Sequence, residues 1–108
     1  MTKDSNPALV LVHGLGSAGT IWKSLIADLE KDFTVYSIDL PGHGQAALDS
    51  FEKYDPRSLG EMILRYMQNV QNVHKMHVAG NSLGGWISLE MAALGPKQVE
   101  SVTALAPA

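Results

Sequence analysis

The sequence predicts an α/β protein: a partial doubly wound parallel sheet of about four strands with three helices. Continuous apolar runs rich in branched residues alternate along the chain with stretches whose apolar residues recur at helical spacing. Runs that are apolar throughout are typical of strands buried on both faces of a parallel sheet. The length of 108 residues is enough for one small domain.

The first half of the chain contributes two strands with a helix between them. Residues 8–12 form the first predicted strand. Apolar residues then recur at helical spacing from Ile21 to Leu29, with Thr20 as the expected N-cap. Residues 33–39 form the second strand, and residues 45–54, which have no clear period, are predicted to be loop.

The second half repeats the pattern. Asp55 as N-cap and Pro56 at the first helical position begin the second helix. Its predicted apolar stripe comprises Leu59, Met62, Ile63, Tyr66, Met67 and Val70. A third strand over residues 76–80 leads into a helix over about 83–94, which Gly95 and Pro96 end. Residues 99–106 form the fourth strand.

Composition and charge argue against several classes of function. The net charge of -3 and the lack of a polybasic stretch predict no binding to nucleic acid or to a membrane surface. The chain has no Cys, no metal-ligand cluster and no phosphate-binding G-x-x-x-x-G-K motif, so we expect no metal and no cofactor. A polar N-terminus and short apolar runs suggest a cytoplasmic protein.

The segment Gly80-Asn81-Ser82-Leu83-Gly84 matches G-x-S-x-G between a predicted strand and a predicted helix, which makes Ser82 the candidate catalytic nucleophile. Gly80 and Gly84 are expected to permit the tight turn, because side chains there would make the strand and the helix collide. The turn would lift the hydroxyl to a helix N-terminus, where developing negative charge is favoured. The alternative is that Ser82 only caps the helix.

A second glycine-containing motif, His13-Gly14-Leu15-Gly16, follows the first strand. We expect an oxyanion hole made by the backbone N–H of Leu83, directly after the nucleophile, and one N–H from this loop. Leu15 is the preferred loop donor and Gly16 the alternative. The competing interpretation is that the two glycines only turn the chain into the following helix.

Three motifs occur in order: residues 11–16 (LVHGLG), 39–44 (DLPGHG) and 80–85 (GNSLGG). Together they resemble the α/β-hydrolase superfamily, especially its branch of small esterases, carbon–carbon hydrolases and perhydrolases. The resemblance covers the whole chain. It implies the strand order second, first, third, fourth, with Leu15 and Ser82 meeting where that order reverses. It also implies that His13 and His43 hold their loops in shape.

In that family the triad acid and the catalytic His follow the nucleophile. Residues 1–108 are therefore expected to be the N-terminal portion of a single α/β-hydrolase domain that lacks the acid, the catalytic His and the cap. His74 and His77 precede or begin the third strand, so they should lie at the opposite end of the sheet from Ser82. A serine hydroxyl without a base is a poor nucleophile, so the chain alone is expected to be inactive.

Three functional hypotheses are consistent with these residues. The first is a serine hydrolase that acts on a small ester, thioester or related acyl substrate. The second is a non-catalytic ligand-binding module with the same fold. The third is a structural fragment that pairs with a complementary chain carrying the rest of the sheet. A downstream acid and His would favour the first over the second, and co-purification of a complementary chain would support the third.

Overall fold

A computed structural model describes residues 6–12, 23–38 and 55–105. Strands and helices alternate along these residues: β1 (Ala8–Val12), α1 (Lys23–Leu29), β2 (Thr34–Ile38), α2 (Pro56–Asn69), β3 (Met76–Asn81), α3 (Leu83–Leu94) and β4 (Val99–Leu105). The predicted order of elements is confirmed. The expected N-cap of the first helix, Thr20, and the predicted loop over residues 45–54 lie outside the described residues.

The four strands form one parallel sheet in the order β2-β1-β3-β4. This order confirms the one that the resemblance to α/β-hydrolases implies. The chain passes from β1 to β2 on one side and then crosses to β3 on the other, so the direction of winding reverses between β1 and β3. In sheets of this kind ligands bind at the carboxyl ends of the strands beside such a reversal.

The larger core lies between the sheet and the pair of helices α2 and α3. It consists of buried apolar side chains from the two central strands and both helices. They include Val10, Val12, Met67, Met76, Val78, Ile87 and Met91. Successive residues of a strand point to opposite faces, so only every second residue of β1 and β3 enters this core. The arrangement fixes β3 and α3 firmly against each other.

A smaller core lies on the other face, under α1. Leu9 and Leu11 of β1 are buried there, and Ile26 and Leu29 of α1 pack against them. Every residue of β1 is therefore buried, as its continuous apolar run predicts. Helices cover both faces of the sheet, which is the doubly wound arrangement. None of the described helices has the length and apolar character that a membrane crossing requires.

The apolar stripe predicted for α2 has the correct helical period, but only one of its two rows of residues is buried. Leu59, Ile63 and Met67 are buried, but Met62, Tyr66 and Val70 are 47%, 41% and 67% exposed. The second row lies about 60° around the helix from the first, since each residue advances about 100°. The buried face instead extends to the opposite side and includes Gly60 and Leu64, because α2 packs against α3 there.

Candidate active site

Ser82 stands alone between two regular elements, directly after β3 and directly before α3. It therefore lies at the carboxyl end of the strand that borders the reversal of strand order. Because a helix begins at the next residue, the first N–H groups of α3 are close to Ser82 and have no carbonyl partner within the helix. These are the surroundings that a reaction centre in such a sheet requires.

The backbone of Ser82 has an unusual conformation, with φ at 55° and ψ at -124°. In the part of the chain that the structure describes, Asn72 is the other non-glycine residue with positive φ. A residue with a Cβ atom rarely adopts such angles, at a cost of about 1–3 kcal/mol, and such strain concentrates at functional sites. The strand-to-helix turn at Ser82 is therefore strained.

Three backbone hydrogen bonds hold this conformation. The N–H of Ser82 donates to the carbonyl oxygen of Leu105 at 3.0 Å, which attaches the turn to the end of β4. The carbonyl oxygen of Ser82 accepts from the N–H groups of Gly85 at 2.9 Å and Trp86 at 3.2 Å. Both polar groups of the Ser82 backbone are thus engaged.

The turn also depends on the close approach of Gly80 and Gly84. A Cβ atom added to Gly80 would lie 2.5 Å from the carbonyl carbon of Gly84 and 2.8 Å from Oγ of Ser88. Real Cβ atoms essentially never approach other atoms so closely, and the carbonyl group belongs to the backbone of α3. A side chain at residue 80 would therefore push α3 away from β3.

The side chain of Ser82 makes no capping hydrogen bond, although the residue occupies the N-cap position of α3. Asp55, at the N-cap of α2, does cap its helix: Oδ1 accepts from the N–H of Ser58 at 2.8 Å. Capping by the side chain is what makes serine favourable at an N-cap. The structure thus gives no support to the interpretation that Ser82 is present to cap the helix.

Leu83, expected to supply an oxyanion N–H, is the first residue of α3 and is half-buried. Its N–H belongs to the set of helix-initial donors that lack an intrahelical acceptor. The other residues expected at the site, His13, Gly14, Leu15 and Gly16, lie outside the described residues, as do Asp39 and His43.

The described residues contain one Ser–His pair, but it does not include Ser82. Nδ1 of His77 and Oγ of Ser101 lie 2.6 Å apart across β3 and β4, and Nε2 of His77 is 3.6 Å from Oε1 of Glu100. The pairing register skips from Val99 to Ser101, which leaves Glu100 as an extra residue beside His77. Ser82 lies five residue steps beyond His77 along extended chain, which is about 16 Å, so His77 does not reach it.

Sequence reasoning assigned no role to two polar side chains close to Ser82. Oδ1 of Asn81 is buried and has no hydrogen-bond partner within the described part of the chain. Ser88 is fully buried, and its Oγ donates to the carbonyl oxygen of Gly84 at 2.7 Å. The signal available for Ser88 was a polar residue at a position of α3 whose helical neighbours on the same face, Gly84 and Met91, are not polar.

No group of three or more His, Cys, Asp or Glu residues suited to a metal ion occurs among the described residues. The geometry thus consists of a strained serine, a set of helix-initial N–H groups and a tight glycine contact. A comparison with families of known proteins matches residues 7–108 to the α/β-hydrolase fold. The chain belongs to the α/β-hydrolase family.

The relatives of this α/β-hydrolase chain include proteins named for different reactions. It is 37% identical over 100 residues to the dihydrolipoyllysine-residue acetyltransferase component of the acetoin cleaving system of Pseudomonas putida, covering 93% of this chain and 26% of that protein. It is 31% identical over 100 residues to the pimeloyl-[acyl-carrier protein] methyl ester esterase of Aeromonas salmonicida, covering 93% of this chain and 37% of that protein.

A solved structure shows the same likeness in three dimensions. The crystal structure of a membrane phospholipase A, described as a bacterial virulence factor, superimposes with a TM-score of 0.91 at 32% identity. The match covers 97% of this α/β-hydrolase chain and 34% of the phospholipase chain. The chain thus spans well under half the length of each of these three proteins.

Proposed function

We propose that this chain is the nucleophile-bearing part of a serine hydrolase that acts on a small ester, thioester or related acyl compound. Ser82 attacks the carbonyl carbon of the substrate through its Oγ atom. The hydroxyl proton passes to a histidine base, which gives it to the leaving group as the acyl-enzyme forms. Water then hydrolyses the acyl-enzyme and regenerates Ser82.

The observation that carries the proposal is the strained backbone of a serine whose side chain makes no capping bond. Strain of this kind persists only when the surrounding structure over-determines it. Here one strand end and the first turn of α3 hold the conformation through hydrogen bonds at 2.9–3.2 Å. A residue that merely joined a strand to a helix would gain nothing from these angles, whereas a nucleophile gains an exposed hydroxyl.

The N–H of Leu83 is the proposed donor to the oxyanion on this side of the site. It follows the nucleophile directly and lies at the positive end of the α3 dipole. A backbone N–H from the loop after β1, from Leu15 in our proposal, is the second donor. Loss of one such donor costs about 10²–10³ in turnover in a well-studied hydrolase, so the pair makes a large contribution.

The base and the acid of the triad are proposed to come from polypeptide outside residues 1–108. His77, the described histidine within the sheet, is engaged with Ser101 at the far end of β3. The relatives are longer, since the matched regions make up 26% and 37% of their lengths. We call the chain together with the segment that carries its acid and histidine the complete hydrolase.

An acyl substrate is favoured by the chemistry of the site and by one relative. A serine nucleophile with backbone oxyanion donors suits attack on a carbonyl carbon. The Aeromonas salmonicida relative is named for the cleavage of a methyl ester. The alternative is a non-catalytic module or fragment of the same fold that works with a partner chain. That alternative requires no reactive Ser82, so it is separable by experiment.

The proposal is tested with a fluorophosphonate, which reacts with activated serine nucleophiles. The complete hydrolase should be modified at Ser82, and peptide mass spectrometry should locate the adduct there. The Ser82→Ala variant should lose the modification. The 108-residue chain alone should react very slowly, because loss of the base costs on the order of 10⁶ in turnover in subtilisin.

Ser101→Ala provides a matched control, because Ser101 is the described serine paired with a histidine. Its modification and hydrolytic rates should equal those of the unaltered protein. A modification that survives Ser82→Ala, or one that disappears with Ser101→Ala, would contradict the assignment of Ser82. A complete hydrolase with no reactive serine would favour the non-catalytic alternative.

A further inference from the structure

Ser88 brings a hydroxyl group into the tightest contact of the site. It is fully buried in α3, and its Oγ atom donates to the carbonyl oxygen of Gly84 at 2.7 Å. The same Oγ atom lies 2.8 Å from the position that a Cβ atom on Gly80 would occupy. The hydroxyl is therefore enclosed where the first turn of α3 meets β3.

The bond to Gly84 is additional to the regular helix. In an α-helix the carbonyl oxygen of Gly84 already accepts the backbone N–H of Ser88. An alanine at residue 88 would leave no buried polar group unsatisfied, so local satisfaction of hydrogen bonds does not require the hydroxyl. The carbonyl of Gly84 instead accepts two donors in a site closed to water.

Two peptide groups connect this bond to the proposed oxyanion donor. The carbonyl of Gly84 belongs to the same peptide group as the N–H of Gly85, which donates to the carbonyl oxygen of Ser82 at 2.9 Å. The carbonyl of Ser82 in turn belongs to the same peptide group as the N–H of Leu83. A hydrogen bond accepted by a peptide carbonyl polarises the N–H of the same group, so bonds arranged in series strengthen one another.

We propose that Ser88 is a positioning residue of the proposed hydrolase: through Gly84, Gly85 and Ser82 its hydroxyl orients and polarises the N–H of Leu83 toward the oxyanion. The inference rests on the proposed function for its catalytic consequence. The hydrogen-bonded series itself does not depend on catalysis and is testable in the chain alone.

The first test measures amide proton chemical shifts in the 108-residue chain by NMR. Ser88→Ala should move the amide protons of Gly85 and Leu83 to lower chemical shift, because each loses part of its polarisation. Ile87→Val is the matched control, since Ile87 is equally buried in the same helix and its side chain makes no hydrogen bond. Equal shifts of Leu83 in both variants, or no shift in either, would overturn the proposal.

The second test measures hydrolysis of an acyl ester such as p-nitrophenyl acetate by the complete hydrolase. Ser88→Ala should lower kcat by up to about twofold with little change in KM, because each of the two peptide groups in series passes on about 10–30% of a bond's strength. A boronate that mimics the tetrahedral intermediate should bind more weakly by a similar factor. The Ile87→Val variant should change neither quantity.

The two tests separate the possible failures. If Leu83 shifts but kcat and boronate affinity do not change, the series does not reach the oxyanion and the proposal is wrong. If Ser82→Ala retains full hydrolysis, the proposed function is wrong, and the catalytic role of Ser88 is wrong with it. A fall in kcat that Ile87→Val reproduces would show a general packing effect and would also overturn the proposal.

Discussion

The N–H of Ser82 donates to the carbonyl oxygen of Leu105 at 3.0 Å, joining the turn after β3 to the last residue of β4. The bond extends the β3–β4 ladder by one step beyond Asn81, which pairs with Leu105 as the final residue of β3. The strained residue is thus attached to the sheet on its N-terminal side and to α3 on its C-terminal side. Neither attachment involves the hydroxyl group.

This bond leads to an expectation for amide hydrogen exchange. The amide of Ser82 should exchange more slowly than that of Leu83, because Ser82 has the Leu105 acceptor and Leu83 precedes the first intrahelical bond. Exchange measured by NMR on the 108-residue chain compares the two residues directly. Faster exchange at Ser82 than at Leu83 would contradict the described turn.

Replacing Ser82 by glycine should stabilise the protein while removing its reactivity. Glycine adopts φ of 55° without steric cost, whereas alanine retains the Cβ atom and the strain. We expect Ser82→Gly to be more stable than Ser82→Ala by about 1 kcal/mol, the strain relieved less the added entropy of glycine in the unfolded chain. Urea unfolding of both variants measures the difference. A Ser82→Gly variant that is less stable than Ser82→Ala by about 0.5–1 kcal/mol, the entropic cost of glycine alone, would mean that the backbone is unstrained.

The contact at Gly80 should tolerate no side chain. Gly80→Ala places a Cβ atom 2.5 Å from the carbonyl carbon of Gly84, so α3 must move. We expect a loss of about 1–3 kcal/mol in the free energy of unfolding, as in other overpacked cores. Gly60→Ala is the control, because its Cβ atom would lie 3.2 Å from the flexible side chain of Met91.

For Gly60→Ala we expect the free energy of unfolding to change by less than about 1 kcal/mol. The higher helix propensity of alanine contributes about 0.5–1 kcal/mol and offsets the cost of the close contact with Met91. Urea unfolding again provides the measurement. The substitution at Gly80 should also reduce the fluorophosphonate reactivity of the complete hydrolase, because it displaces the turn. Equal losses of stability in the two variants would contradict the special role of the Gly80 contact.

The N-cap of α2 offers a test away from the site. Asp55 accepts the N–H of Ser58 at 2.8 Å, and Asp55→Ala removes this acceptor. The expected loss is about 1 kcal/mol in the free energy of unfolding, and Asp55→Asn should retain most of the stability because asparagine also caps well. Fluorophosphonate reactivity at Ser82 should remain the same in both variants. Equal losses of stability in Asp55→Ala and Asp55→Asn would show that the cap does not stabilise α2.

Local patterns in the sequence were sufficient to predict the fold. Asp55 followed by Pro56 marked the start of α2, and a cap and a fixed φ act within one turn of chain. The continuous apolar run of β1 predicted burial on both faces, because each of its residues is apolar whichever face of the sheet it points to. The outward position of Met62 and Tyr66 depends on which neighbour α2 packs against, so periodicity alone did not reveal it.

The candidate site was predictable only where its residues are adjacent in sequence. Gly80, Ser82 and Leu83 lie within one motif, so their proximity follows from the chain itself. The acceptor for the Ser82 N–H comes from Leu105, and the hydroxyl in the Gly80 contact comes from Ser88. Both depend on strand register and helix packing, which a one-residue change in pairing would alter.

The most direct test of the central claim is to locate the fluorophosphonate adduct in the complete hydrolase by peptide mass spectrometry, with Ser82→Ala and Ser101→Ala measured alongside. We expect a single adduct on Ser82 that Ser82→Ala removes and Ser101→Ala leaves unchanged. An adduct elsewhere, or no adduct on a folded protein, would contradict the assignment of Ser82 as the nucleophile.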